Sequence, residues 1–517
     1  MKNRLESRAD AARLASISKS QALRFRQALA EVGYLPRNLH AIPEVLEARS
    51  RGGQNLPRLL RLTSEEQPLN IFVRLFLLGV PVRVPVARSA MKSVPLEEWC
   101  DAGLAIVNGE FVEGSIAIGL YEGLLLATEK PELLDHGAPA DYVSSITNST
   151  ASLVRFMVNR SFDRVLDLCT GCGVLGLLSA RRGGRVLATD LNPRAIQFAR
   201  FNAQLNGIDN IEFAVGSTFE PARGEKFDLI TANPPCVLGP ALRYQFRDSG
   251  RDLDDLCRQI LAEAPGYLRD GGIFQSTLEW PNLEGADWRK RITELLQNLP
   301  ADALLIQLRT KDVQSHTEET IGDTDVLDFE EQARLYAGHM DYFQNRHVTS
   351  ISEGLVALRR RSGAVKKWMS LESLPNRTSA QLGDAVYQFF ESSNALDRLG
   401  DGLLDLKLGM APSLSIDTSR TWNGTSWDDG SYWIRQGTGF EFEAAVDVRI
   451  ANLIRCCDGT KTLRELIAGI AADASVAFDA VAPGCLNVIR AMVQRGFLKL
   501  PSQEDGRQET ENKTSEI

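Results

Sequence analysis

Asn233-Pro234-Pro235-Cys236 follows Asp167-Leu168-Cys169-Thr170-Gly171-Cys172-Gly173 later in the chain, and each segment has the makings of half a reaction site. Two consecutive prolines fix φ and remove two amide donors, which gives a rigid turn. The side-chain oxygen of Asn233 and the backbone carbonyl of Pro234 can both accept from an NH₂ group. Those contacts would orient an amide or exocyclic amine and aim its lone pair at an electrophile. Catalysis would then be mainly positioning, with stabilisation of the charge that develops on nitrogen. Pro235 and Cys236 complete this candidate catalytic turn. The earlier segment follows an apolar strand, and Gly171 and Gly173 permit the backbone angles and the closeness that a ligand-facing helix start requires.

The glycine loop reads as a nucleoside site. Asp167, at the strand end, can orient the loop and lie near a positive sulfonium or amino group. Asp190 ends the next strand, where a carboxylate suits both ribose hydroxyls, with Leu191 beside it. Gly171, Gly173 and Gly176 also satisfy Gly-x-Gly-x-x-Gly, so a dinucleotide must be weighed. A carboxylate at 167 would repel a pyrophosphate but attract an amino group, and the Asn-Pro-Pro turn lies at the carboxyl edge of a later strand. The combination favours S-adenosylmethionine over NAD, and transfer of a methyl group to nitrogen. Cys169 and Cys172 form a Cys-x-x-Cys, yet no second pair of cysteines or histidines stands at ligand spacing. They are therefore read as small residues of the loop, with Thr170 between them, and no metal is expected.

Strands must alternate with helices to place these turns at one sheet edge. The pattern over residues 163–361 does so: strands at 164–168, 184–190, 211–216, 227–232 and 271–276, then 303–308 and 352–360, with helices at 192–205 and 253–264. Before it, helical patterns at 18–34 (stopped by Pro36), 57–62, 69–78 and 94–103 precede a hairpin around Asn108-Gly109, and Val82–Val86 reads as a break. After it, tryptophan-rich short strands at 421–442 precede helices at 443–456, 463–470 and 484–495. Both flanks suggest winged-helix-like modules.

Composition bounds the rest. With 517 residues, 44% apolar and 24% charged, several soluble globular domains are expected. No run of 18 apolar residues exists, and the first residues lack the apolar segment of a signal peptide. Eight cysteines without a regular framework fit a reducing cytoplasm. Residues 1–94 carry 16 Lys/Arg against 7 Asp/Glu, a balance of +9 in a chain of net charge −9, so the remainder carries −18. The basic segment is either a solvated helical face or a docking surface for an acidic partner such as RNA or DNA.

The central motifs resemble the amino-methylating branch of class I methyltransferases, which includes the glutamine methyltransferases of release factors, ribosomal guanine methyltransferases and adenine methyltransferases. The resemblance runs through residues 167–173, Thr189-Asp190-Leu191-Asn192-Pro193, Asn202–Gly207 and Phe227–Pro235. It implies that Asp190 holds ribose, that residues 167–173 hold the methionine part, and that Ser217 or its neighbours approach the adenine. One departure stands out: the family has Tyr or Phe after Pro-Pro, where the ring stacks on a planar acceptor, and Cys236 cannot stack. Tyr244 or Phe246 would have to supply the ring, while Arg243, Arg247 or Arg251 could grip a carboxylate or phosphate.

The expected architecture is thus α/β: a Rossmann-like methyltransferase core of mostly parallel sheet over 141–362. It would be flanked by an N-terminal helical, winged-helix-like cap (1–140), a C-terminal domain with a winged-helix-like part (363–501) and a disordered tail (502–517). The expected activity is cytoplasmic methylation of an amide or amino nitrogen in a protein or RNA, with no membrane partner. A small amino, amide or guanidino metabolite is the alternative acceptor. A regulator that binds S-adenosylmethionine as a signal and grips nucleic acid through winged helices is the alternative of a different class.

Overall fold

The computed structural model describes residues 14–34, 56–136, 138–240, 243–322, 329–361, 367–374 and 381–501. The expected stop at Pro36, the boundary at 362/363 and the tail 502–517 lie outside them. The chain divides into two compact units. One contains most of the chain to residue 369, and the other contains residues 370–517 with the short segments 155–159 and 306–308.

The first unit is built on a sheet whose strands are β1 (Arg164–Leu168), β2 (Arg185–Asp190), β3 (Ile211–Val215), β4 (Phe227–Ala232), β5 (Leu268–Leu283), β6 (Ala301–Asp312) and β7 (Val348–Arg360). Their spatial order is β6-β7-β5-β4-β1-β2-β3. The pairs β5–β4, β4–β1, β1–β2 and β2–β3 are parallel, while β7 runs antiparallel to β5. The run Val165, Leu166, Leu168 is buried on both faces, as parallel strands require. Helices α1 (Asn148–Phe156), α2 (Val174–Arg181), α3 (Pro193–Asn206), α4 (Asp255–Tyr267), α5 (Trp288–Leu296), α6 (Val313–Gly322) and α7 (Phe329–Gln344) complete the core. The strand order reverses between β1 and β4, and ligands of open α/β sheets bind outside the carboxyl ends of strands at such a point.

The last three strands are longer than the sequence pattern indicates, and α5, α6 and α7 were not legible as separate elements. Leu268–Leu283 reaches seven residues beyond the expected end of its strand because Thr277–Trp280 stay buried against β7.

Ahead of this core, Ser18 caps helix Lys19–Glu31 reciprocally with Gln21. Val82–Arg83, expected as a break, is instead a short strand on the hairpin Ala105–Asn108/Phe111–Gly114. Helix Val84–Ala90 follows at once, because Pro85 sits in its first turn, where no amide donor is needed. A second hairpin, Ala117–Tyr121/Leu124–Thr128, packs on α3 through two side-chain amides. Asn202 accepts from Ala127 N (2.7 Å) and donates to Ala127 O and Cys172 O (2.9 Å each). Asn206 accepts from Leu125 N (3.0 Å) and donates to Leu125 O (2.7 Å). These carboxamides pair with the strand as a neighbouring backbone would.

The second unit has helices Gly383–Leu399, Val448–Arg455, Leu463–Asp473 and Phe478–Gln494, an antiparallel sheet of Ser415–Trp422, Trp427–Arg435 and Glu443–Val446, and a short pairing of Gly409–Met410 with Leu498–Lys499. The helix expected over 443–456 is split, since Asp447 caps at 447 by accepting from Arg449 N and Ile450 N, leaving 443–446 as strand.

Asn202 is fully buried and satisfies three backbone groups of the hairpin and the glycine loop. Asn202→Ala should therefore cost about 1–3 kcal/mol of stability for groups left unpaired, read as a lower denaturation midpoint. A variant with an unchanged midpoint would show that the amide contacts hold nothing together.

Candidate functional site

The donor half of the site is organised by Asp167, which is completely buried at the end of β1. One oxygen accepts from Thr170 Oγ1 (2.6 Å) and Gly176 N (3.0 Å), and the other from Thr231 Oγ1 (2.7 Å) on β4. Burial, only partly offset by these donors, raises its carboxyl to about 6. Both oxygens are thus engaged by protein. Asp167 holds the loop from behind it.

Above it, Cys169 (φ 55°) and Gly171 (φ 55°) turn the chain through the left-handed region, and Gly173 (φ 92°) starts α2. A Cβ on Gly171 would meet nothing within 4 Å, whereas one on Gly173 would lie 3.0 Å from Ala199 Cβ. Gly171 therefore forms the open floor of a cradle and Gly173 a packing point. Burial pushes the thiol of Cys172 up to about 11 and that of Cys169 well above its ordinary value, so neither is a thiolate.

Asp190 ends β2 beside this cradle, half-buried. It accepts from Gly171 N and Asn192 N, 2.9 Å each. Burial raises its carboxyl. Each oxygen retains lone-pair capacity for a vicinal diol. Leu191 next to it is 64% exposed, an apolar surface available to a base, and Ser217 stands half-buried after β3. A cradle at a helix start with a carboxylate at the second strand end fits a nucleoside carrying an amino-acid tail.

The acceptor half begins where β4 ends. Asn233 is held from two sides: its Nδ2 donates to Thr150 Oγ1 on α1 (3.0 Å), and its Oδ1 accepts from Thr277 Oγ1 on β5 (2.6 Å). The carboxamide is tethered at both ends, and its oxygen keeps one lone pair for an incoming N–H. Pro234 is buried, while Pro235 and Cys236 are half-buried. The thiol of Cys236 lies beside Cys257 on α4, and this contact together with burial raises it well above its ordinary value, which holds it as a thiol.

The following loop turns inward. Tyr244 is 1% exposed, packed against Phe246 (ring centroids 5.7 Å apart), which in turn meets Tyr142 at 5.6 Å. Asp248 accepts from Arg243 N and Tyr244 N at 2.9 and 3.0 Å. Arg247 pairs with Asp248 (2.7 Å) and donates to Thr320 O (2.9 Å). Tyr244 and Arg247, expected to touch the acceptor, hold the loop in shape instead, and Arg243 flanks the Tyr244 ring at 5.6 Å.

Sequence reasoning missed Thr150, Thr277 and Glu279. Glu279 lies two residues beyond Thr277 on β5, 9% exposed, with Oε2 accepting from Leu238 N at 3.3 Å. Burial, then the nearby carboxylate of Glu353, hold its carboxyl up at about 8. The only sequence signal was a run of polar residues within a strand otherwise apolar, Gln275–Glu279.

Residues 143–279 match the methyltransferase small domain family, and residues 43–115 match a domain of unknown function, DUF7059. The chain is 40% identical over 129 residues to the release factor glutamine methyltransferase of Xylella fastidiosa, covering 23% of this chain and 47% of that protein. It is 36% identical over 173 residues to the enzyme of the same name from Yersinia pestis, covering 31% and 58%. It is 37% identical over 126 residues to the ribosomal protein uL3 glutamine methyltransferase of Bradyrhizobium diazoefficiens, covering 22% and 40%. The chain thus spans about half the length of these relatives. Among solved structures, the ribosomal protein L11 methylase of Lactobacillus delbrueckii aligns over 42% of this chain and 81% of its own at 20% identity, with a TM-score of 0.24.

Two outcomes test this geometry. Asp190→Ala should weaken binding of S-adenosylhomocysteine by about 1–3 kcal/mol in titration calorimetry, since buried hydroxyls lose their acceptor. Glu279 has a folded-state pKa raised above the unfolded carboxylate value. Its contribution to stability is therefore complete below about pH 4.3 and is lost as pH rises towards 8. Glu279→Gln should accordingly unfold later than the parent at pH 8, by a margin that shrinks at pH 4.5; the scale is about 1.4 kcal/mol per unit of raised pKa. Equal margins at both pH values would show that Glu279 is not held as a buried acid.

Proposed function

We propose that this chain, whose central part is a class I methyltransferase domain related to the protein glutamine methyltransferases, transfers a methyl group from S-adenosylmethionine to a nitrogen of a macromolecule. The observation that carries the proposal is a shared anchor. Asp167 binds the glycine loop through Thr170, the first turn of α2 through Gly176, and the end of β4 through Thr231, two residues before Asn233. The glycine loop and the Asn-Pro-Pro turn are thereby held side by side at the point where the strand order reverses, which supports reading them as donor cradle and acceptor turn.

In this reading Asp190 accepts the ribose hydroxyls, residues 169–173 line the methionine part, and Leu191 and Ser217 flank the adenine. The bound donor supplies an electrophilic methyl on a sulfonium. Asn233 Oδ1 and the Pro234 carbonyl take hydrogen bonds from the acceptor nitrogen, so that its lone pair points along the line of displacement. A macromolecular acceptor is supported by the similarity to enzymes of release factors and of a ribosomal protein, and by the basic first 94 residues. The small-metabolite reading rests on Cys236, which leaves the acceptor without a stacking ring.

Incubating the protein with methyl-labelled S-adenosylmethionine and fractionated cell extract should place label in a macromolecular fraction; label confined to small molecules would select the other acceptor class. Asn233→Ala should lower transfer by about 10²–10³-fold, the scale for losing one fixed polar contact to a reacting centre, while S-adenosylhomocysteine still binds. An alanine variant that turns over normally would remove this role for the turn.

A further inference from the structure

Charges beneath the acceptor turn do not balance. Glu279 on β5 and Glu353 on β7 stand directly opposite one another in the antiparallel pairing, which puts both side chains on one face. Glu353 is bonded by the guanidinium of Arg309 on β6. Arg309 also reaches Glu319 on α6 (3.2 Å), and Lys311 bonds Glu319 as well. Three carboxyls therefore share two cations. The unmatched carboxyl is that of Glu279: one oxygen accepts from Leu238 N, and the other has no hydrogen-bond partner among the described residues.

Among the described residues, the remaining neighbours supply no positive charge. His316 on α6 meets Leu238 O at 2.9 Å, and burial drops its ring to about 4, so it is neutral. Cys236 in the turn, beside Cys257 on α4, is held as a thiol by that contact and by burial. Glu279 is also well placed for the acceptor. It shares a strand face with Thr277, the residue that holds Asn233, at a spacing of about 7 Å along the strand. Its bond to Leu238 brings it up to the Asn-Pro-Pro-Cys loop itself. Arg309 and Lys311 pull this carboxyl down from a distance, but they are bonded to Glu353 and Glu319, so among the described residues no cation is left to pair with it directly.

We propose that Glu279 binds the acceptor through a basic nitrogen, an amino or guanidino group of a protein, and takes the proton this nitrogen must lose. This rests on the reading of the domain as an N-methyltransferase and narrows its substrate. Charge pairing from below replaces the stacking ring that Cys236 cannot provide. A protonated amine has no lone pair to offer, so its proton must leave first. A carboxylate held near neutrality by its surroundings can receive it. The bond from methyl carbon to sulfur then breaks as the carbon–nitrogen bond forms, the sulfur keeps the electron pair as a thioether, and the departing proton resides on Glu279. A guanidinium loses its proton in the same way.

The test is hydrolysis of protein labelled by the purified enzyme and methyl-labelled S-adenosylmethionine, followed by chromatography of the methylated residue. Label on a lysine, arginine or terminal amine supports the inference. Label on a glutamine amide or a nucleobase overturns it and leaves N-methyl transfer standing; no transfer to any fraction overturns both. Glu279→Gln should reduce kcat/KM by about 10²–10⁴-fold with S-adenosylhomocysteine binding within about twofold of the parent, and Glu279→Asp should recover part of the loss. Retention of full activity in Glu279→Gln would sink the assignment even if the label lay on a basic residue.

Discussion

The site depends on one buried carboxylate. Asp167 holds three donors that belong to three different pieces of chain: the glycine loop, the first turn of α2 and the inner strand β4. An unpaired carboxylate at that depth would be costly, so the fold is constrained to deliver all three donors at once. Because Thr231 is one of them, the same constraint that shapes the donor cradle also fixes where β4 ends and where Asn233 begins. The glycine loop and the Asn-Pro-Pro turn are one mechanical unit, coupled through hydrogen bonds of 2.6–3.0 Å.

Side-chain amides extend this logic outward. Asn202 reaches from α3 to the hairpin strand Leu124–Thr128 and to Cys172 O, so the N-terminal elements are tied to the back of the glycine loop. The buried pair Arg194–Glu129 adds a second tie, with Glu129 accepting from Val143 N at 2.7 Å. The preceding segment is therefore part of what supports the cradle. Asn233 follows the same rule one layer further in, with Thr150 and Thr277 fixing its carboxamide as Asn202 fixes the hairpin.

The first four strands, the glycine loop and the acceptor turn were legible because each is announced locally. An apolar run of five or six residues ends in Asp, Gly or Asn-Pro-Pro, and backbone sterics allow few readings of such endings. The reading of Asp190 and Asn233 as site residues rests on those endings. Glu279 was missed, because its meaning comes from a residue 74 positions away on an adjacent strand, and no local pattern marks a carboxyl that will be buried opposite another. Tyr244 and Arg247 were misread for the converse reason. An aromatic and basic loop resembles a binding loop in sequence, but here Asp248 gathers the amides and guanidinium of its own loop and turns the ring inward. Helix α6 was missed because its buried face is polar, with His316, Thr317 and Thr320 at the contact.

The position of β4 has a consequence for how the chain is made. It is inserted between β1 and β5 although β2 and β3 precede it in sequence. As the polypeptide leaves the ribosome, β1, β2 and β3 can join in order while the other margin of β1 stays bare until residues 227–232 arrive. That interval leaves an apolar strand margin open to foreign strands. Nascent chains interrupted inside it would carry a complete glycine signature and no pocket, and would be candidates for chaperone capture.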